Sequence, residues 1–215
     1  MRDVTRRGLL LSLLLGGVAG YVDAIGFIET GGLFVSFMSG NSTQAGVEAI
    51  EQGATAVILP LSLVAAFVAG VTAGALLGRQ GQRRAWAVAA SAAAVAISAG
   101  LSFLQPDGPW RFLLLAAAMG ALNTLYLSEG RARVAITYAT GTLVSLGLAL
   151  AALVTGRSRT AWQRPLLLWG SLAGGAVVGA AAHRLGGGVA LLIAAVVLGI
   201  VAIALAARRR LPIRP

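Results

Sequence analysis

No cysteine and no lysine occur in the 215 residues; all 17 basic residues are arginine, and there is one histidine. The first absence removes disulfides, thiolate nucleophiles and thiolate metal ligands. Charge is scarce: 11% of residues are charged, against about a quarter in an ordinary soluble domain. No phosphate loop, catalytic triad or zinc motif is present. An intramembrane enzyme would lack a convincing nucleophile–base or metal set, so neither an enzyme nor a cofactor is expected.

What the chain has instead is hydrocarbon. Hydrophobic residues make up 58% of it, and apolar runs of roughly 20 residues recur, enough to cross a core about 30 Å thick. An all-α integral membrane protein follows, a single membrane domain over 1–215 with spans near 8–28, 55–78, 85–104, 112–128, 165–183 and 189–207. The formal charge of +10 raises the question of nucleic acid. The arginines, however, are spread in short stretches between apolar runs, the pattern of membrane topology, and nucleic acid is not an expected partner. Arg6 and Arg7 ahead of an apolar run resemble a twin-arginine export signal with a small-residue site at Val18-Ala19-Gly20. A first membrane helix is the preferred reading, because an internal repeat includes it.

That repeat falls in three blocks. Leu13–Leu15, Gly20 and Asp23 match Leu113–Leu115, Gly120 and Asn123. SFMSGN at 36–41 and Gly46 match TYATGT at 137–142 and Gly147. Pro60, Gly70, Gly74 and Arg79 match Pro165, Gly175, Gly179 and Arg184. Repeat 1 covers about 8–104 and repeat 2 about 112–207, each with three spans and a polar-interrupted segment, near 31–50 and 134–154. If the N-terminus is cytoplasmic and both segments return to the face they left, only Arg111 and Arg184 of the 17 arginines lie outside. Both termini are then cytoplasmic. Three spans per repeat is an odd number, so the halves are inverted, as in many secondary transporters.

The polar breaks are the candidate site. Gly40 and Gly141 each follow a hydroxyl residue (Ser39, Thr140) and precede Asn41 or Thr142. Glycine relaxes the backbone, and Ser, Thr and Asn are preferred N-caps. A break at Gly40 and at Gly141 is expected, followed by half-helices over 42–50 and 143–154 whose N-termini suit an anion. Ser39, Gly40, Asn41, Ser42, Asn123, Tyr138, Thr140, Gly141 and Thr142 are the candidate solute-binding residues. Asp23, a carboxylate inside the first span, must be paired, wetted or protonated; it is the candidate proton or cation carrier. Hydroxyls in membrane helices also serve packing alone, and Asp23 could cap a neighbouring break. His183 at a helix end is a weak candidate for a metal or proton-relay role.

The stretch GYVDAIGFIETGGLFVSFMSGN at 20–41 resembles the YoaK family of uncharacterised bacterial multi-pass inner-membrane proteins. MGALNT at 119–124 and TYATGTL at 137–143 are similar to that family's corresponding stretches, with departures at Leu122 (usually Gln) and Thr124 (usually Ala). The resemblance implies a multi-spanning membrane protein and supplies no substrate. The functional expectation rests on the repeat and the breaks: a small secondary transporter or permease for a small polar or anionic solute, coupled through Asp23. The alternative is a non-transporting assembly, anchoring or sensory protein. Partners are the bilayer and a small-molecule or ion substrate; with only six spans, a homodimer would help enclose a path.

Overall fold

The computed structural model describes residues 6–76, 83–105, 108–128, 131–132 and 139–207. Eight α-helices carry the described chain: α1 (Arg6–Thr30), α2 (Met38–Glu51), α3 (Ile58–Leu76), α4 (Arg83–Leu104), α5 (Trp110–Leu122), α6 (Ala139–Val154), α7 (Gln163–His183) and α8 (Gly187–Ala207). A 3₁₀ turn (Asn123–Tyr126) follows α5, and Leu127–Ser128 pairs antiparallel with Arg131–Ala132. Among the described residues no other strand occurs.

Five helices are long and apolar enough to cross a bilayer, α1, α3, α4, α7 and α8; the apolar stretch Trp110–Leu125 is shorter. Many of their large apolar side chains point outward, such as Val177 (71% exposed) and Ile203 (70%). Water would penalise so much exposed hydrocarbon, and lipid would not. The chain is therefore a multi-pass α-helical membrane protein. Observed and expected spans agree within a few residues, except that α5 closes at Leu122 and its continuation to 128 is not α-helical. Pro60 and Pro165 each sit third in their helix, where the missing N–H has no intrahelical partner to lose.

Glycine sets the tightest packing, and it does so twice. A Cβ on Gly20 of α1 would fall on the Leu172 carbonyl oxygen of α7; one on Gly120 of α5 would fall on the Phe67 carbonyl oxygen of α3. Gly175 lies in the same way against Gly17, and Gly70 against Ala117. Such small-residue contacts let backbones approach and replace a hydrophobic driving force that lipid cannot supply. Along α1 and α7, Gly17 meets Gly175 and Tyr21 meets Gly179, so the two helices run parallel. Along α3 and α5, Gly70 meets Ala117 and Gly74 meets Ala121, so these are parallel too. Helices α4 and α8 pack on each other, with Gly188 at the start of α8 against the Phe103 ring near the end of α4. Tyr21 donates its hydroxyl to the Ala190 carbonyl oxygen at 2.9 Å, tying α1 to α8.

The helix breaks differ from the expected positions. Helix α2 starts at Met38 and α6 at Ala139, so Gly40 and Gly141 lie in first turns, not at a break. The interruption is residues 31–37. Gly31 (φ 72°) and Gly32 (φ 135°) end α1 in a backbone region that other residues enter at a cost. Phe37 occupies the N-cap of α2 and makes no side-chain cap bond. Hydroxyls near these helix starts turn back along their own helices: Ser42 donates to the Met38 carbonyl, Thr43 to Ser39 and Ser145 to Gly141, each four residues earlier.

Candidate functional site

Seven residues without regular structure at this depth need partners for their N–H and C=O groups. Three side chains supply them. Thr30 Oγ1 accepts from the Leu33 N–H at 2.9 Å while its hydroxyl lies within donating range of the Gly26 carbonyl at 2.7 Å. Asn41, fully buried, accepts from the Phe34 N–H through Oδ1 at 2.8 Å and donates Nδ2 to the Phe34 carbonyl at 2.6 Å. Asp23 Oδ1 accepts from the N–H groups of Val35 (2.8 Å) and Ser36 (2.7 Å), and its Oδ2 accepts from the Ser36 hydroxyl at 2.5 Å. Asp23, Thr30, Ser36 and Asn41 are thus the scaffold of the loop.

What the loop frames is a cavity of about 600 Å³ between α1, the 34–37 turn, the start of α6 and α7. Among the described residues Asp23 is the one charged residue on its wall, and the others are apolar, including Phe27, Phe34, Phe37, Leu172 and Val177. Phe27 and Phe34 have ring centroids 5.0 Å apart with planes at 42°; Phe34 and Phe37 are 5.3 Å apart, edge to face. Gly40 lies beneath these rings: a Cβ there would come within 2.7 Å of Phe37 and 3.0 Å of Phe34.

Of the expected site residues, Asp23 reaches this cavity, and Gly40 and Asn41 support its aromatic wall from behind. Ser39 and Ser42 are exposed on α2. Thr140, Gly141 and Thr142 follow Ala139, the α6 residue that lines the cavity, but do not line it themselves. Asn123 is buried at the end of α5, where Nδ2 donates to the Met119 carbonyl at 2.9 Å. Tyr138 lies outside the described residues. The phenylalanines were not among the expected site residues, although three of the chain's six fall between 27 and 37.

A second polar cluster sits at one end of the bundle. Glu29 near the end of α1 is 3.4 Å from the Arg111 guanidinium at the start of α5, and 3.2 Å from His183 Nε2 at the end of α7. Arg111 donates to Ser102 Oγ at 2.7 Å and lies over the Phe112 ring at 4.6 Å. Its side chain is 8% exposed and that of Glu29 13%. The grouping gathers the ends of three helices. In the sequence its trace is that Glu29 and the exceptional Arg111 fall on the same expected face. Among the described residues no group of three or more His, Cys, Asp or Glu side chains could hold a metal.

Comparison with known proteins agrees with this architecture. A family model described as "Protein of unknown function (DUF1275)" matches residues 11–204. The UPF0700 transmembrane protein RA0705 of Rhizobium meliloti (strain 1021) is 34% identical over 184 residues, covering 86% of this chain and 80% of the relative. The UPF0700 transmembrane protein YoaK of Bacillus subtilis (strain 168) is 32% identical over 154 residues, 68% of each chain. No solved structure matches. An apolar multi-helix bundle whose match runs through nearly every described helix, together with two transmembrane relatives of this extent, identifies the chain as a member of the DUF1275 family, whose curated relatives here are UPF0700 transmembrane proteins.

Proposed function

We propose that the chain is a small secondary transporter of the bacterial inner membrane whose solute occupies the cavity beside Asp23. The observation that carries this reading is the cavity itself: about 600 Å³, within the usual range of small-molecule sites. It is walled by residues of both sequence repeats and, among the described residues, has one carboxylate on its surface.

The architecture we propose around it is a pair of inverted repeats. Matched backbone contacts support it: Gly20 on Leu172 corresponds to Gly120 on Phe67, and Gly175 on Gly17 to Gly70 on Ala117. Helix directions support it as well. Parallel α3 and α5 start at the end of the bundle where α1 and α7 finish, the end marked by Glu29, Arg111 and His183. Segment 31–57 therefore leaves and rejoins the bundle at one end, and the segment between α5 and α7 does so at the other. Two segments returning from opposite faces suit inverted repeats and alternating access. With the N-terminus cytoplasmic, the arginine distribution is positive inside and both termini are cytoplasmic. The cavity wall does not resemble the anion site expected from half-helix ends, because a carboxylate set in hydrocarbon repels an anion. The solute class is therefore set by Asp23 and its apolar surroundings. No catalytic chemistry belongs to this reading.

The alternative, a non-transporting assembly or sensory protein, gains support from the loop itself: Asp23, Thr30 and Asn41 all bind backbone, as packing residues do. The two readings separate in one experiment. Detergent-purified protein is screened by thermal stabilisation against cationic, anionic and neutral solutes, beside Ala180→Trp, which fills the cavity from an exposed wall position. The transporter reading predicts a solute-specific rise in Tm for the wild type that Ala180→Trp lacks. No stabilisation by any solute, or equal stabilisation of both proteins, favours the packing reading.

A further inference from the structure

The cavity's wall contains more information than its size. Asp23 accepts three hydrogen bonds, from two backbone N–H groups and one hydroxyl, and every donor is neutral. Among the described residues no arginine or histidine pairs with it; the ion pairs there belong to Glu29. Hydrogen bonds orient a carboxylate, but they leave its charge uncompensated within an apolar setting, which is a costly arrangement. Beside it stand Phe27, Phe34 and Phe37, whose ring planes differ by 42° and 85° and so do not form a parallel stack. Aromatic faces attract a cation through the ring quadrupole, most strongly where water is excluded.

The loop is also built to keep these rings in place. Asn41 clamps Phe34 through both backbone groups, and Gly40 offers the Phe34 and Phe37 rings a surface without a side chain. A packing loop would need the backbone clamp but not a glycine fitted under two rings that border an open cavity.

Resting on the transporter reading above, the geometry points to an organic cation as the occupant: a quaternary or tertiary ammonium with an apolar body, its charge balanced by Asp23 and its methyl or methylene groups against Phe27, Phe34 and Phe37. A lipid chain or neutral hydrocarbon would fill the apolar volume and leave Asp23 without a countercharge, so charge complementarity selects the cation.

The test uses purified full-length protein titrated calorimetrically with benzyltrimethylammonium, with neopentylbenzene as its uncharged isostere and with benzenesulfonate. Wild type is expected to bind the cation saturably, and to bind the isostere and the anion about tenfold more weakly or not at all. Asp23→Asn keeps a carbonyl oxygen for the Val35 and Ser36 N–H groups, so the loop is retained while the charge is lost. It should weaken the cation about tenfold or more. Phe34→Leu keeps the apolar volume and removes a ring face, and should weaken it severalfold. Ligand-free melting of each variant checks that it folds. Equal binding of cation and isostere, no saturable binding of the cation, or unchanged cation affinity in both variants overturns the assignment. If another solute stabilises the wild type and fails with Ala180→Trp, the cavity still serves a solute and only the cation class falls.

Discussion

Replacing Asp23 by alanine removes the acceptor of three hydrogen bonds and strands two N–H groups on buried Val35 and Ser36. Each unsatisfied buried donor costs about 1–3 kcal/mol, so Asp23→Ala should melt well below wild type in detergent, whereas Asp23→Asn should melt close to it. Equal melting of both variants would show that the loop does not depend on this carboxylate. Arg111 offers a complementary case. Arg111→Met leaves the largely buried Glu29 with His183 as its one ion-pair partner among the described residues, and breaking a buried pair from one side costs up to about 3–5 kcal/mol. Adding Glu29→Gln should recover much of the lost thermal stability, because the uncompensated charge is then gone. A double variant as unstable as the single would mean that packing, not charge, holds this end. Asp23 was legible in the sequence because a carboxylate inside an apolar run needs a reason to be there. Its partners were not, since Val35 and Ser36 contribute backbone N–H groups that any residue could supply.

At the scale of elements, glycine separates contacts from spacing. Gly20→Ala and Gly120→Ala each push a methyl into the backbone of a crossing helix, Leu172 in one case and Phe67 in the other. Overpacking of this kind costs about 1–3 kcal/mol, and the matched pair should lose similar amounts of thermal stability. Gly46 and Gly147 are matched in the sequence as well, yet nothing lies within 4 Å of a Cβ at either. Gly46→Ala and Gly147→Ala should therefore be neutral or gain up to about 1 kcal/mol from helix propensity. If all four variants behave alike, the close crossings do not hold the bundle together. The five long apolar helices could be read from hydrocarbon runs. The breaks could not be placed as well. Gly40 and Gly141 looked like hinges, but the chain turns at Gly31–Gly32, where the required positive φ leaves no trace beyond the residue type. Gly40 serves instead as a floor for Phe34 and Phe37, a contact that sequence spacing alone does not distinguish from a hinge.

The whole molecule poses a question of direction and then one of traffic. In the inverted arrangement, the loops before α3 and before α7 lie on opposite faces of the membrane. The absence of native cysteine makes this measurable. Thr55→Cys should react with an impermeant maleimide added outside intact cells, and Thr160→Cys only after permeabilisation; both positions are exposed. Labelling of both from one face would rule out the inversion. Membrane class followed from composition and patterning, whereas the cavity was hidden, because its wall joins residues 20 to 37 with residues 139 to 180 across the bundle. The measurement that tests the account most directly is uptake of radiolabelled benzyltrimethylammonium by proteoliposomes carrying wild type or Ala180→Trp. Wild type is expected to take it up saturably, and the filled cavity to abolish that uptake. Uptake no greater than that of protein-free liposomes, or equal uptake by both proteins, would contradict it.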